Sequence, residues 1–282
     1  MSSLSTPSLA LPAPPTLAHL LADWLPAFGQ VSWKAETGST NADLLAQARE
    51  RPEGKPWLLG AHLQTQGRGR VGRSWKSPSG AALMVSFAFD VHLLAADLPA
   101  LSPLTGLAAC ESLRALIGED RAGPLTVKRP NDLQWGQAKL AGLLVESLRN
   151  PVGLIAGHTV VVGIGLNLRD ADVLSLTLGR PIADWSQIGA PADVGVAEIV
   201  RALANGFHQA LLDVQREGFG AFVQRYAQVD ALAGQAVNVI DQGRILQQGI
   251  AQGLDAQGRL LLRTDSGVQP IIVGEVSIRP QS

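Results

Sequence analysis

The sequence predicts an α+β protein, a mixed sheet with packed helices, followed by a small C-terminal β barrel. As far as about Leu232, strand-like and helical stretches are mixed without the strict alternation of a doubly wound parallel fold, which favours helices laid on a largely antiparallel sheet. Beyond it the texture changes to short runs, QAVNVI, RILQQGIA, RLLLRT and QPIIV, broken by Asp241-Gln242-Gly243, Asp255-Ala256-Gln257-Gly258 and Asp265-Ser266-Gly267. The expected division is a flexible leader over 1–30, a main domain over 31–232 and the barrel over 233–282. With 282 residues, 46% hydrophobic and 17% charged, and a mean hydropathy of +0.15, the chain can offset its ordering entropy by burial, which excludes a disordered protein. Lys and Arg number 23 against 24 Asp and Glu, a net charge of −1. No global field draws such a chain onto nucleic acid or an anionic membrane, so any anion site must be local.

The N-terminus is rich in Leu, Ala and Pro, but no Lys or Arg precedes Lys34, and Pro7, Pro12, Pro14 and Pro15 interrupt the stretch where a signal peptide is continuous. A short helix is expected over Leu17 to Leu25. A second runs from Asn41 to Arg49, with Ser39 or Thr40 placed to cap it. Trp57 to Leu63 and Ala82 to Phe89 read as strands. Ser102-Pro103 starts a helix along which Leu104, Leu107, Ala108 and Leu116 recur near helical spacing. Strands resume at Leu125 to Lys128, Lys139 to Glu146 and Thr159 to Leu168, and Val196 to Arg216 and Phe219 to Tyr226 read as helical. The one cysteine, Cys110, cannot form an internal disulfide, and no Cys/His spacing suggests zinc, which fits a reducing cytoplasm.

Three segments carry chemistry. Gly67 to Trp75 reads GRGRVGRSW, and between Glu53 and Asp90 there is no acid while Lys55, Arg68, Arg70, Arg73 and Lys76 are all basic. Glycines let backbone N–H groups approach a ligand, and guanidinium forks suit phosphate or carboxylate oxygens. The letters also match a dinucleotide fingerprint and, with Arg73 in the lysine position, a phosphate loop. Both matches fail because Pro78, Gly80 and a strand follow where a helix is required. Lys128 to Glu146 reads KRPNDLQWGQAKLAGLLVE: Pro130-Asn131-Asp132 is a turn presenting an amide and a carboxylate, and Trp135-Gly136-Gln137 is a hairpin tip that brings Lys139 back beside it. In Val160 to Leu168, VVVGIGLNL, Gly163 and Gly165 clear one face of a buried strand for a flat ligand or for close packing.

These motifs, in this order and ahead of a small barrel, resemble the biotin protein ligases: Ser39-Thr40-Asn41, then GRGRVGRSW with Ser77-Pro78-Ser79-Gly80, then the PND turn with KLAGLLVE, then GIGLN. The resemblance runs from about Trp33 to the C-terminus. It implies a mixed α/β catalytic domain shared with lipoyl ligases and a terminal barrel of SH3-like type. It implies that Ser39, Thr40, Asn41 and Gln64 meet the biotin ureido ring, and that Gly67, Arg68, Gly69 and Arg70 belong to the loop that folds over the ligand. Lys139, with Arg68 and Arg70, would be catalytic, Lys139 holding the carboxylate and the reacting phosphate. Arg73, Trp75, Asn131 and Asp132 would serve ATP, with Asp132 a partner for Mg2+, and Gly142, Leu144, Gly163, Gly165 and Asn167 would line the shared cleft. Two positions depart from the family pattern. Arg129 stands where a tryptophan is usual in Lys-Trp-Pro-Asn-Asp, and Gln66 where a smaller residue is common.

The reaction so implied has two steps: biotin is activated to biotinoyl-AMP, then passed to a lysine of a biotin carboxyl carrier protein of acetyl-CoA carboxylase or a similar carboxylase. It needs no side-chain nucleophile, in keeping with one helical thiol and with five scattered histidines, His19, His62, His92, His158 and His208. Two readings compete with it. A lipoate or octanoate ligase or transferase shares the fold, and transferases of that group need a well-placed cysteine. A biotin-responsive repressor would need a DNA-binding segment, whereas about 30 residues without a basic group precede the expected catalytic domain. No nucleic-acid or membrane partner is expected, and both a monomer and a homodimer remain open.

Overall fold

In the computed structural model, which describes residues 9–70, 72–75, 77–150, 157–191, 193–241, 244–271 and 277–280, the apolar runs assemble into two sheets. The larger has seven strands: β1 (Gln30–Thr37), β2 (Trp57–Gln64), β3 (Ala82–Val91), β4 (Leu125–Lys128), β5 (Asp132–Trp135), β6 (Ala138–Asn150) and β7 (Gly157–Asn167). Their spatial order is β1-β2-β3-β7-β6-β5-β4. β1 runs parallel to β2 and every other neighbouring pair is antiparallel. Sequence reading missed β1, whose QVSWKAET carries too many polar groups to resemble a strand. It is an edge strand, and Trp33 is its anchor: the ring packs so closely on Gly60 of β2 that a Cβ there would lie 2.4 Å from it.

One sheet face is covered by α1 (Pro14–Trp24), α3 (Leu101–Ile117) and α5 (Val196–Glu217). Leu17, Leu21 and Leu25 are buried in that core, which corrects the expectation of a leader over 1–30. The prolines that break a signal-like stretch instead begin a helix, because Pro14 and Pro15 occupy positions whose N–H groups have no helical partner. Residues 1–8 lie outside the described residues. The opposite face carries α2 (Thr40–Glu50), whose Leu44, Leu45 and Ala48 pack on Trp57, Leu59, Ala88 and Val161.

Strand period 2 then explains where the cleft lies. On β7, Val160, Val162, Ile164 and Leu166 point into the main core. Val161, Gly163, Gly165 and Asn167 therefore share the α2 face, and beyond Val161 that face is left without bulk. A short helix, α4 (Ala171–Leu178), and α6 (Val223–Ala227) complete the first domain, and α4 was not expected from the sequence.

The smaller sheet comprises β8 (Ala236–Asp241), β9 (Arg244–Leu254), β10 (Leu260–Thr264), β11 (Gly267–Ile271) and β12 (Ser277–Pro280) in the order β11-β10-β9-β8-β12, all antiparallel. Leu232, Val237, Val239, Ala251, Leu260, Leu262 and Ile271 form its own core. Gln242 and Gly243 of the first expected turn, and the end of QPIIV, lie outside the described residues. β12 was not expected. The small domain leans on the large one through Gly258, whose positive φ of 71° suits glycine and whose Cβ would meet Ala100 at 2.7 Å. The connecting segment is tied to β4 by Val127 N–H to Val229 O (2.7 Å) and Ala231 N–H to Val127 O (3.0 Å).

Candidate active site

The uncovered part of the sheet face is a cleft of about 540 Å³, within the range of sites for cofactor-sized ligands. Sixteen of the expected site residues line it: Ser39, Thr40, Asn41, Gln64, Arg68, Gly69, Arg70, Arg73, Trp75, Asn131, Asp132, Lys139, Gly142, Leu144, Gly163 and Gly165. Asn167, expected to line the cleft, is not among its lining residues, and neither is Gly67. Gly67 closes the neck of the Gly/Arg loop: its carbonyl accepts Trp75 N–H at 2.8 Å, and a Cβ would lie 2.3 Å from Trp75 O. Asn167 is buried and donates to the carbonyls of Lys139 (3.2 Å) and Ala183 (3.1 Å), so it holds the backbone of Lys139 rather than a ligand.

One end of the cleft is neutral. Ser39 caps α2 and presents its first turn, where Thr40 and Asn41 are buried. Ser86 donates to Asn41 Oδ1 at 2.5 Å, so the 2.7 Å contact between Ser86 and Thr40 has the Thr40 hydroxyl as donor. Gln64 Oε1 accepts Thr40 N–H at 2.7 Å. Gly163 is required here, since a Cβ would sit 2.1 Å from Asn41 Oδ1. Ser86 was missed by sequence reading. Its signal was present as the one hydroxyl inside the apolar run ALMVSFAF.

The other end is cationic. Lys139 Nζ lies 2.5 Å from Asp132 Oδ1, as the hairpin spacing implies, and 5.5 Å from the centre of the Trp75 ring. That indole lies on the glycine face: a Cβ on Gly165 would be 2.5 Å from it and one on Gly142 3.1 Å. Its Nε1 is buried without a partner. Burial pushes the Lys139 ammonium below the ordinary lysine value, and the Asp132 carboxylate acts the other way. Burial likewise lowers Arg70, with Asp132 opposing and Arg129 and Arg73 adding to the shift. Lys128 and Arg180 also line this end. Lys128 opens the KRPND segment, whereas Arg180 follows α4 and had no motif to announce it. The Asn131 amide donates to Leu143 O at 2.6 Å, fixing the turn to β6.

Arg129 also lines the cleft. It follows Leu125 and Val127 at strand spacing and is buried, with Nε and Nη1 lacking partners. Tyr226 and half-buried Asp230 act on it electrostatically, and Tyr226 OH and Asp230 Oδ2 are also buried without partners. The position where the family pattern has tryptophan is therefore a buried polar junction beneath the PND turn, at the connection to the small domain. Burial raises Asp230 and lowers Arg129 relative to their ordinary values.

Among the described residues, no three His, Cys, Asp or Glu side chains are grouped to hold a metal. Asp132 is the acid that lines the cleft, so a divalent ion there would have one protein carboxylate and would depend on oxygens of a bound ligand, an arrangement suited to Mg2+ with a nucleotide. Cys110 is fully buried in α3 and burial pushes its thiol up to about 12, so it is no nucleophile. Among the described residues, no helix is long and apolar enough to cross a membrane.

A sheet with a neutral hydrogen-bonding end and a cationic end in one cleft defines an enzyme that brings a polar small molecule to an anionic partner. The sequence profile of the biotin/lipoate A/B protein ligase family matches residues 35–167, and that of the biotin protein ligase C-terminal domain matches residues 233–279. The biotin--[acetyl-CoA-carboxylase] ligase of Paracoccus denitrificans is 33% identical over 247 residues, covering 86% of this chain and 98% of that protein. The bifunctional ligase/repressor BirA of Escherichia coli is 32% identical over 251 residues, covering 89% of this chain and 74% of BirA. A solved structure of the biotin protein ligase of Aquifex aeolicus, in complex with biotin and ATP, superposes with a TM-score of 0.70 at 25% identity, over 90% of this chain and 99% of that one. The chain belongs to the biotin protein ligase family.

Proposed function

We propose that this protein is an ATP-dependent biotin protein ligase that forms biotinoyl-AMP and transfers biotin to a lysine of a biotin carboxyl carrier protein. The observation that carries the reading is the single cleft in which the neutral Thr40-Asn41-Gln64-Ser86 end runs into the cationic end around Lys139. The neutral end suits a ureido group, which has two N–H donors and a carbonyl acceptor. At the other end a biotin carboxylate oxygen attacks the α-phosphorus, the bond to the bridging oxygen breaks, and pyrophosphate leaves. Two anions must approach each other, so catalysis rests on positioning and charge stabilisation by Lys139, Arg68 and Arg70. Arg73, Trp75 and Asn131 serve the nucleotide, and Mg2+ would be held by Asp132 together with phosphate oxygens. The acceptor amine then attacks the acyl carbon, the acyl–phosphate bond breaks, AMP leaves, and the amine proton passes to solvent.

In this reading α1 through residue 232 form the catalytic domain and 233–282 the barrel, and the reaction takes place in the cytoplasm. Mass spectrometry of the small molecules formed from biotin, ATP and Mg2+, with lipoate in a parallel tube, tests it. Biotinoyl-AMP in the first tube alone is the expected result. An adenylate formed from lipoate alone, or none in either tube from folded protein, would overturn it.

A further inference from the structure

The proposed function leaves one acid unexplained. Glu146 ends KLAGLLVE and follows Gly142 and Leu144 at strand spacing, so it shares their face of β6. A carboxylate beside a cleft that must collect anions opposes the local field, and a surface position would have served stability as well. Its two oxygens are divided between the first turn of α2 and the Gly/Arg loop. Oε2 accepts Asn41 Nδ2–H at 3.0 Å, and Oε1 accepts Arg68 Nη2–H at 2.7 Å. Only an acceptor satisfies both groups, which fixes the Asn41 amide with its nitrogen toward Glu146 and Leu144 O (3.2 Å) and its oxygen toward Ser86. Arg68 otherwise stands on the Gly/Arg loop with its side chain 47% exposed, and a pair of that exposure adds little to stability. Glu146 also lines a groove of about 200 Å³ that shares Arg70 with the cleft.

We propose that Glu146 is a positioning residue that joins the α2 turn to the Gly/Arg loop, one oxygen setting the Asn41 amide for biotin and the other tethering Arg68. The role of Asn41 in this proposal rests on the biotin ligase reading, whereas the tether does not. Two variants separate the oxygens. Glu146→Gln keeps a carbonyl for Asn41 and removes the charge that holds Arg68, while Glu146→Ala removes both contacts.

The experiment measures biotin binding by calorimetry without ATP, and the rate at which phenylglyoxal modifies Arg68, mapped by mass spectrometry against exposed Arg49 of the same molecule. In E146Q biotin affinity stays within about threefold of the parent, while Arg68 modification accelerates about threefold to fivefold, the scale of one lost half-exposed ion pair. In E146A Arg68 accelerates equally and biotin binding weakens by about tenfold or more. Unchanged Arg68 modification in E146Q would overturn the tether, and biotin binding by E146A equal to the parent would overturn the role toward Asn41. If E146A does not fold, Glu146→Met, which keeps the volume, takes its place. A parent protein that binds no biotin would sink the biotin ligase reading and the Asn41 half with it, leaving the Arg68 rates to decide the tether.

Discussion

The two ends of the cleft are built by different means. At the neutral end short side chains leave a capped helix and the middle of β3, and Thr40, Asn41 and Ser86 are buried in bonds of 2.5 to 3.2 Å to one another and to the sheet. At the cationic end Arg70, Arg73 and Arg180 are long, half-buried or exposed, and carried by loops and turns, and Lys128 is the last residue of β4. A neutral hydrogen bond contributes about 1 kcal/mol net and is lost with its geometry, so such readers must be held in place before the ligand arrives. A charge acts over a longer distance and tolerates a softer support. Lys139 links the ends, a charge placed on β6 whose backbone carbonyl is fixed by Asn167.

That contrast makes Lys139 the position of largest expected effect. Lys139→Ala should lower pyrophosphate release in the biotin-dependent half-reaction by at least about 100-fold, because it removes a preorganised charge from the transition state. Loss of Arg73, on the exposed loop, should cost distinctly less in the same assay. Equal losses would mean that support by the sheet adds nothing. Next comes the junction under the PND turn. Arg129→Met leaves the half-buried Asp230 without its counter-charge and should destabilise the protein by about 2 to 3 kcal/mol in urea unfolding. Adding Asp230→Asn should then restore part of that loss, a sign that simple addition of two harmful substitutions could not give. Because burial raises Asp230, its protonated form is the one the fold prefers. The penalty in Arg129→Met should therefore be smallest at acid pH and grow as pH rises through the folded-state value, and a penalty that grew on acidification would contradict the junction.

The same contrast explains what was legible in the sequence. Glycines at 163 and 165, the PND turn and the Gly/Arg loop could be read because each is a local departure from a strand pattern. Lys139 beside Asp132 followed from hairpin spacing alone. What escaped depended on partners distant in sequence. Strand β1 is a strand because Trp33 finds Gly60 and β2, and the expected short helix α1 proves to be packed, not part of a leader, because α5 and the sheet offer its leucines a core. Glu146 gave no signal, since an acid at the end of a strand is ordinary until Asn41 and Arg68 are brought to it from about a hundred and about eighty residues away. Arg129 was flagged only as an unusual letter, and its meaning came with Asp230 and Tyr226.

The smallest expected effects give the sharpest division between the ends. Gly163 and Gly165 sit two residues apart on one face of β7, and the same methyl group added to each meets a different neighbour. Gly163→Ala places a Cβ 2.1 Å from Asn41 Oδ1, and Gly165→Ala places one 2.5 Å from the Trp75 ring. Overpacking of this kind displaces the side chain it meets, at a cost that reads as about tenfold in affinity. Gly163→Ala should therefore raise the KM for biotin about tenfold and leave that for ATP within about twofold. Gly165→Ala should do the reverse, because the Trp75 indole it moves lies under Lys139 at the cationic end. Steady-state kinetics with each substrate varied in turn, on variants whose melting temperatures match the parent, decides the matter. If both substitutions raise the same KM, the cleft has no separate ends and a single shared surface reads both ligands.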